Sequence, residues 1–348
     1  MKILMMGLGS IGQRHVRNIK EILGDDVKFI AFRSVGKKRL ITEKLGVLED
    51  KNVEDEYGIV SYTDLDEALA QKPDVAFITN VTAKHMECAI KAAKAGCNLM
   101  IEKPLSVDLS GTDRLREIIA DKGLTVSVGF QNRYHPCIKV LKETVESGIL
   151  GRIRYVSNEF SERLTTIHRY EDYRQTYMAR RDLGGGPVLN LLIHDFDILR
   201  WLFDMPVSVS GKMMHGGDLE IDVEEGASAV FTFECEDNTF PVYTHTDFMQ
   251  YPPVHTFKVV GEKGRIEVDM NTAEYVIYCG DEIYKTEKFL DFRRNDMFLQ
   301  EIKDYFESLN NHTGPKLNLE SGIDTLKMVE MLRKSDLEKR EIKISEIL

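Results

Sequence analysis

The chain is poor in cysteine. Five residues, Cys88, Cys97, Cys137, Cys235 and Cys279, occur in 348, an odd number without a Cys-x-x-Cys pair. This argues against a disulfide framework and a structural zinc site, so no metal is expected and a reduced, cytoplasmic setting fits best. Basic charge is also in deficit, with a net charge of -11. A sequence-blind grip on nucleic acid or on an anionic membrane needs a basic surface, so neither partner is expected. Long apolar runs are missing too. No stretch of 18 apolar residues occurs, and the N-terminal run is broken by Gly7, Gly9 and Gly12, too early for the apolar core of a signal peptide. There is no internal repeat and no low-complexity tract. What remains is 43% hydrophobic and 30% charged, the composition of an ordinary globular protein long enough for two cores.

The first fourteen residues after Met1 carry the most information. An apolar strand at Ile3–Met6 runs into Gly7-x-Gly9-x-x-Gly12, and Ile11, Val16, Ile19 and Leu23 then fall on one side of a helix. In that context Gly7 permits the tight turn and Gly9 lets the backbone approach a pyrophosphate. Gly12 lets the helix pack on the sheet, and the helix start at Ser10 and Ile11 offers N–H groups to the anion. Strand-like segments at Val27–Phe32, Val75–Thr79, Asn98–Ile101 and Thr125–Gly129 alternate with helical patterns at 37–45, 64–70, 84–95 and 109–121. This predicts an α/β, doubly wound parallel sheet of the Rossmann type over residues 1–125. After residue 150 the pattern changes to alternating segments such as Ile153–Phe160, Ala227–Glu234, Val242–Phe248 and His255–Val260. Helical stretches interrupt them at 187–203, 297–309 and 322–337. Residues 126–348 are therefore expected to form an α+β domain with a large, mostly antiparallel open sheet, the substrate-binding and oligomerisation half.

Three clusters carry candidate chemistry. Arg33 ends the second strand, where a domain preferring NAD would place an acid for the ribose 2′-OH, and Ser34, Lys37 and Lys38 follow it. This loop predicts NADP(H), with NAD(H) possible. Glu102-Lys103-Pro104 follows the strand at 98–101, at the sheet edge where open α/β folds bind ligands. Pro104 restricts the residue before it and aims the lysine, whose proton affinity in a desolvated site would fall from about 10.4. In the third cluster, behind Gly184-Gly-Gly-Pro187, the residues Asn190, His194 and Asp197 recur at helical spacing in an otherwise apolar segment. A polar seam in a buried helix must be hydrogen-bonded or face a site.

Together these residues resemble the Gfo/Idh/MocA oxidoreductases, nearly from end to end. The resemblance also includes His85 seventeen residues before Glu102, Gln131-Asn-Arg-Tyr-His-Pro136, Gly148-Ile-Leu-Gly151 and Gly322-Ile-Asp-Thr-Leu. It implies hydride transfer between a nicotinamide and a carbon of a sugar or polyol. Lys103 would hold the reacting hydroxyl, and His194 would be the general acid/base. Asn80, His85, Glu102 and Lys103 would join the glycine loop at the coenzyme, and Arg133, Tyr134, Asn190 and His194 would face the substrate. Asn190 departs from the family's usual aspartate four residues before the histidine. An asparagine orients an imidazole but does not stabilise its cation as a carboxylate does; Asp195 or Asp197 is the expected replacement.

Between Arg152 and Arg181 lie seven arginines, no lysine and four acids. Arginine forks suit phosphate or carboxylate, and Tyr170, Tyr173 and Tyr177 interleave as stacking surfaces, so Tyr173 and Arg181 are expected to contact an anionic or nucleotide-linked sugar. Two further functions compete with the dehydrogenase. One is a glycosidase that retains its coenzyme; the other is a regulator that senses the dinucleotide without turnover. An open sheet face points to a homo-oligomer, a dimer or tetramer.

Overall fold

The computed structural model describes residues 1–33, 39–43, 45–235 and 238–347, without the side chain of Glu49. The chain divides into two compact units. One comprises Met1–Phe130 with Phe298–Ile323, the other Gln131–Met297 with Asp324–Leu348. The break thus falls at 130/131 rather than 125/126. Residues 298–323, read from the sequence as part of the second domain, belong to the first unit.

In the first unit the strands are β1 (Lys2–Met6), β2 (Lys28–Phe32), β3 (Arg39–Ile41), β4 (Val47–Asn52), β5 (Val60–Tyr62), β6 (Val75–Ile78), β7 (Asn98–Glu102) and β8 (Val126–Gly129). Six of them form a parallel sheet in the order β5-β2-β1-β6-β7-β8, the two-halved arrangement of a dinucleotide-binding domain. Strands β6 and β8 are buried throughout, as a parallel sheet covered by helices requires. The helices are α1 (Ser10–Leu23), α2 (Val53–Tyr57), α3 (Leu65–Leu69), α4 (His85–Lys94) and α5 (Thr112–Lys122). Ile3, Met5, Val16, Ile19, Phe29 and Phe77 form a core that Ile302, Tyr305 and Phe306 complete from far along the chain.

The helix expected over 37–45 is not formed by its described residues. Strands β3 and β4 pair antiparallel instead, around a turn in which the Thr42 N–H donates to the Gly46 carbonyl. The reason is tertiary. Gln13, buried on α1, donates to the Arg39 carbonyl at 3.0 Å and accepts from the Ile41 N–H at 2.7 Å, filling backbone positions that a helix would have used itself.

The second unit is built on nine strands: β9 (Ile153–Ser161), β10 (Ser208–Met214), β11 (Gly226–Cys235), β12 (Asn238–Asp247), β13 (Val254–Gly261), β14 (Gly264–Asp269), β15 (Glu274–Cys279), β16 (Glu282–Lys288) and β17 (Ile342–Lys343). Their order is β16-β15-β14-β13-β9-β12-β11-β10-β17. All neighbours pair antiparallel except β9 with β12. Alternation in β11 and β13 sends Phe231, Phe233, Phe257 and Val259 inward, against helices on one face. Those helices are α6 (Pro136–Glu146), α7 (Leu164–Ile167) and α8 (Ile193–Phe203), with α9 (Arg294–Asn311) and α10 (Leu319–Glu338) running through both units. Phe196 of α8 meets Phe231 edge-on at 5.2 Å. Ahead of α8, Val188–Leu192 form a π-helical turn, so the expected 187–203 helix is two differently wound pieces. Among the described residues, no helix is long and apolar enough to cross a membrane.

The opposite sheet face carries a groove of about 810 Å³. There Glu159, His245 and Asp247 come together, tied by Gln250, which donates to both carboxylates. His245 bonds Asp247 at 2.9 Å and Ser228 at 2.8 Å, and the Asp247 contact raises its pKa above 6.5. Burial pushes Asp247 up, but His245, Gln250 and two backbone N–H groups outweigh it and bring the value down to about 2. The histidine contribution is present below pH 6.5 and fades as pH rises through its raised value. That of the aspartate is present above pH 3.8 and fades as pH falls towards 2. Asp247→Asn is therefore expected to lose more stability at pH 6 than at pH 9 in urea unfolding, and equal losses would exclude this pairing as the cause.

Candidate active site

Helix α1 begins where β1 ends, and its N-terminus is bare. Gly9 occupies the cap position in an extended conformation, no side chain caps the helix, and its first turn holds no acid. Gly9 is exposed, and a Cβ built on it meets nothing within 4 Å. Ser10 and Ile11 open the helix half-buried beside it. Gly12 is the opposite case: its Cβ would lie 2.4 Å from the Gly7 carbonyl oxygen. Gly7 has φ +114° and would bring a Cβ to 2.9 Å from the Asn80 backbone. The strand, the helix and the loop after β6 therefore meet as backbone, leaving open space and unsatisfied N–H groups above Gly9. This donor set fits a dinucleotide pyrophosphate.

Around the same sheet edge, Asn80 follows β6. Its amide donates to the Cys88 sulfur at 3.2 Å, while its Oδ1 is buried without a hydrogen-bond partner among the described residues, an acceptor suited to a ligand N–H. His85 is buried with Nδ1 2.8 Å from the Pro104 carbonyl and Nε2 3.0 Å from the Asn80 carbonyl. Burial lowers its pKa, partly offset by those two carbonyls. With each ring nitrogen facing a backbone carbonyl, one of which accepts its N–H, His85 joins the two loops rather than offering polar atoms to the coenzyme. Glu102 ends β7 and is buried against His15, with 2.6 Å between Oε1 and Nε2. Lys103 follows, half-buried, at the carboxyl end of β7.

Arg33 stands at the end of β2 as expected, but its guanidinium is not free for a 2′-phosphate. Nη1 pairs with Glu54 at 3.0 Å, and both side chains are nine-tenths buried. Glu54 sits in the first turn of α2, which Asn52 caps, and it also accepts from Ser61 at 2.6 Å. Ser34, Lys37 and Lys38 lie outside the described residues.

In the second unit His194 and Asn190 are both buried, His194 on α8 and Asn190 in the π-helical turn before it. The Asn190 amide donates to the Gly186 carbonyl at 2.7 Å. Both expected carboxylates have partners of their own. Asp197 takes a two-pronged contact from Arg133, at 2.6 and 2.5 Å, and Asp195 binds His255 at 2.8 Å and Asn158 at 2.7 Å. Arg133, read from the resemblance as a substrate contact, is thus a buried strut, its guanidinium also 5.3 Å from the Trp201 ring centre. Breaking one side of such a pair costs about 3–5 kcal/mol. Tyr134 lies half-buried beside it, 5.8 Å from the Lys139 ammonium. His135 caps α6, and burial takes its pKa down to about 4.

The arginine-rich segment is largely self-neutralised. Arg154 pairs with Glu262, Arg174 with Asp172 and Glu220, and Arg180 with Asp182. The exposed Arg181 bonds Asp222 through its backbone N–H at 2.6 Å and through Nε to the carbonyl at 3.1 Å. The Tyr173 hydroxyl accepts from the Glu220 N–H at 3.3 Å. Sequence reasoning assigned no role to His15, Asn158 or His255. Only His15, one turn after Gly12, stood near a recognisable motif; the others reach Asp195 from strands far away in sequence.

A Rossmann sheet with a bare glycine-rich helix start, joined to a nine-stranded second unit, defines a nucleotide-dependent oxidoreductase of two units. Residues 1–130 match the oxidoreductase family with an NAD-binding Rossmann fold, and residues 138–267 match the Gfo/Idh/MocA C-terminal domain. The chain belongs to the Gfo/Idh/MocA oxidoreductase family. It is 28% identical to a myo-inositol 2-dehydrogenase of Thermotoga maritima, over all of both chains. It is also 23% identical to a scyllo-inositol 2-dehydrogenase (NAD(+)) of Bacillus subtilis, over 92% of this chain and 91% of that one. Among solved structures, a levoglucosan dehydrogenase in complex with NADH and levoglucosan shares the fold, with a TM-score of 0.82, 16% identity and 99% coverage of both chains.

Gly12→Ala tests the backbone contact at the helix start. The added Cβ pushes α1 away from the Gly7 turn, and coenzyme affinity measured by titration is expected to fall at least about tenfold, roughly 1.4 kcal/mol. Unchanged affinity would mean that the glycine loop is not where the dinucleotide sits.

Proposed function

We propose that the chain is a dehydrogenase that oxidises a secondary hydroxyl of a neutral sugar or polyol, with NAD(H) as coenzyme. The observation that carries this reading is the position of Lys103. It follows the last residue of β7, at the sheet edge where open α/β folds take their ligands, in a turn braced by His15 through Glu102 and by His85 through the Pro104 carbonyl. The bound nicotinamide supplies the hydride acceptor. Lys103 holds the substrate oxygen and lowers the cost of losing its proton, and His194 takes that proton; a positioned acid/base pair of this kind contributes about 10²–10⁴ in rate. Asn190 carries no charge with which to stabilise an imidazolium, so proton removal relies on Lys103 more than on a charged histidine dyad.

Two features narrow the partners. Arg33 shares its charge with buried Glu54, so the ribose end of the cradle offers little net attraction to a 2′-phosphate, which favours NAD(H) over NADP(H). Arg154, Arg174 and Arg180, three of the arginines read as forks for an anion, pair with acids of this same chain, which supports a neutral substrate over an anionic or nucleotide-linked one. Val230 and Tyr243, exposed on the sheet face away from the helices, support the homo-oligomer reading.

In an assay of inositols and neutral sugars with coenzyme in excess, NADH is expected to accumulate in step with substrate loss. Lys103→Ala should abolish turnover while leaving coenzyme affinity within about threefold, and His194→Ala should lower kcat by about 10²–10⁴. Sugar release without net NADH would point to a coenzyme-retaining glycosidase, and coenzyme binding without turnover of any substrate to a regulator. Separately, titration of the free protein should show NAD bound at least about tenfold more tightly than NADP, a difference of roughly 1.4 kcal/mol. Tighter NADP binding would return the 2′-phosphate to the Arg33 loop.

A further inference from the structure

Each candidate catalytic side chain has a carboxylate as its neighbour in sequence, and each carboxylate is gripped by a buried histidine from elsewhere in the same unit. Glu102 precedes Lys103. Its Oε1 lies 2.6 Å from His15 Nε2, and the histidine is fully buried on α1, wedged against Phe77 at 5.4 Å and Phe298 at 6.4 Å between ring centres. Gly129 on β8 leaves room for the carboxylate, since a Cβ there would come within 3.3 Å of Oε2. Asp195 follows His194. It is fully buried, with Oδ1 2.8 Å from His255 Nε2 and Oδ2 accepting from Asn158 at 2.7 Å. His255 lies flat on Phe160, with 3.8 Å between ring centres and 7° between planes.

A buried carboxylate has to be hydrogen-bonded, so these contacts are fixed points of the fold. Glu102 is the last residue of β7, and fixing its carboxylate fixes the backbone from which the turn carrying Lys103 departs. Around a helix, neighbouring side chains differ by about 100°, and tying Asp195 to β9 and β13 sets the rotation of α8 and with it the heading of His194. We propose that His15 and His255 are positioning residues for the reaction, His15 acting through Glu102 on Lys103 and His255 acting through Asp195 on His194. The inference rests on the dehydrogenase reading of Lys103 and His194 given above, and it adds two residues that touch neither substrate nor coenzyme.

The test uses amide replacements of different reach in the full chain with coenzyme bound. Gln at position 15 or 255 carries a donor to about the place of Nε2, whereas Asn stops one methylene short. His15→Asn and His255→Asn are each expected to lower kcat about 100-fold, the cost of a reacting group misplaced by about 1 Å. KM and coenzyme affinity should stay within about threefold, and His15→Gln and His255→Gln should restore kcat to within about fivefold of the parent. Equal kcat for Asn and Gln variants, or losses confined to KM and coenzyme affinity, would overturn the proposal. If an Asn variant does not fold, Glu102→Asp or Asp195→Asn is read in its place, and failure of those to fold as well makes the histidines structural and overturns it. Lys103→Ala alone separates the two claims. Full activity there removes the reading beneath the proposal, whereas lost activity with unaffected His15→Asn kinetics removes only the proposal.

Discussion

A side chain at position 12 would place its first carbon 2.4 Å from the Gly7 carbonyl oxygen, inside any permissible contact. The first unit is organised by that exclusion. Because nothing stands between α1 and the end of β1, the helix start faces outward at Gly9 with its N–H groups unused, and the loop after β6 can close against Gly7. The same approach brings His15, one turn further along α1, within reach of Glu102 at the end of β7. A steric requirement at one glycine thereby couples the anion-binding end of the helix to the turn that carries Lys103.

Buried charge is handled by a similar economy in the second unit. Asp195 and Asp197 sit two residues apart on a helix with almost no solvent, and each has its own partner set: Arg133 for one, His255 and Asn158 for the other. His194 lies just before the first of these carboxylates, whose hydrogen bonds hold it to His255 and Asn158.

The sheet with its glycine loop, the alternating second half and the Glu102-Lys103-Pro104 turn were legible because each has a local cause: period, glycine spacing or a proline. What was not legible depended on partners remote in sequence. The hairpin of β3 and β4 replaced an expected helix because Gln13, more than twenty residues earlier, supplies its backbone bonds. Strand β16 escaped notice since it is exposed throughout and rich in lysine and glutamate, with no buried face to impose alternation. Arg33 was placed at the end of β2, yet its guanidinium is paired with Glu54, which no spacing rule connects to it. The arginine cluster likewise read as a ligand site in part because two of its acidic partners, Glu220 and Glu262, come from other segments.

The core of the dinucleotide-binding unit contains Ile302, Tyr305 and Phe306, contributed after the chain has already traversed most of the second unit. A nascent polypeptide emerging from the ribosome therefore holds an unfinished first unit through some 170 further residues of synthesis, with Phe77 lacking its ring contacts to Tyr305 and Phe306. The coenzyme-binding half, although translated first, is among the last parts of the molecule able to close its interior, and a fragment ending at residue 130 would expose an apolar surface that chaperones recognise.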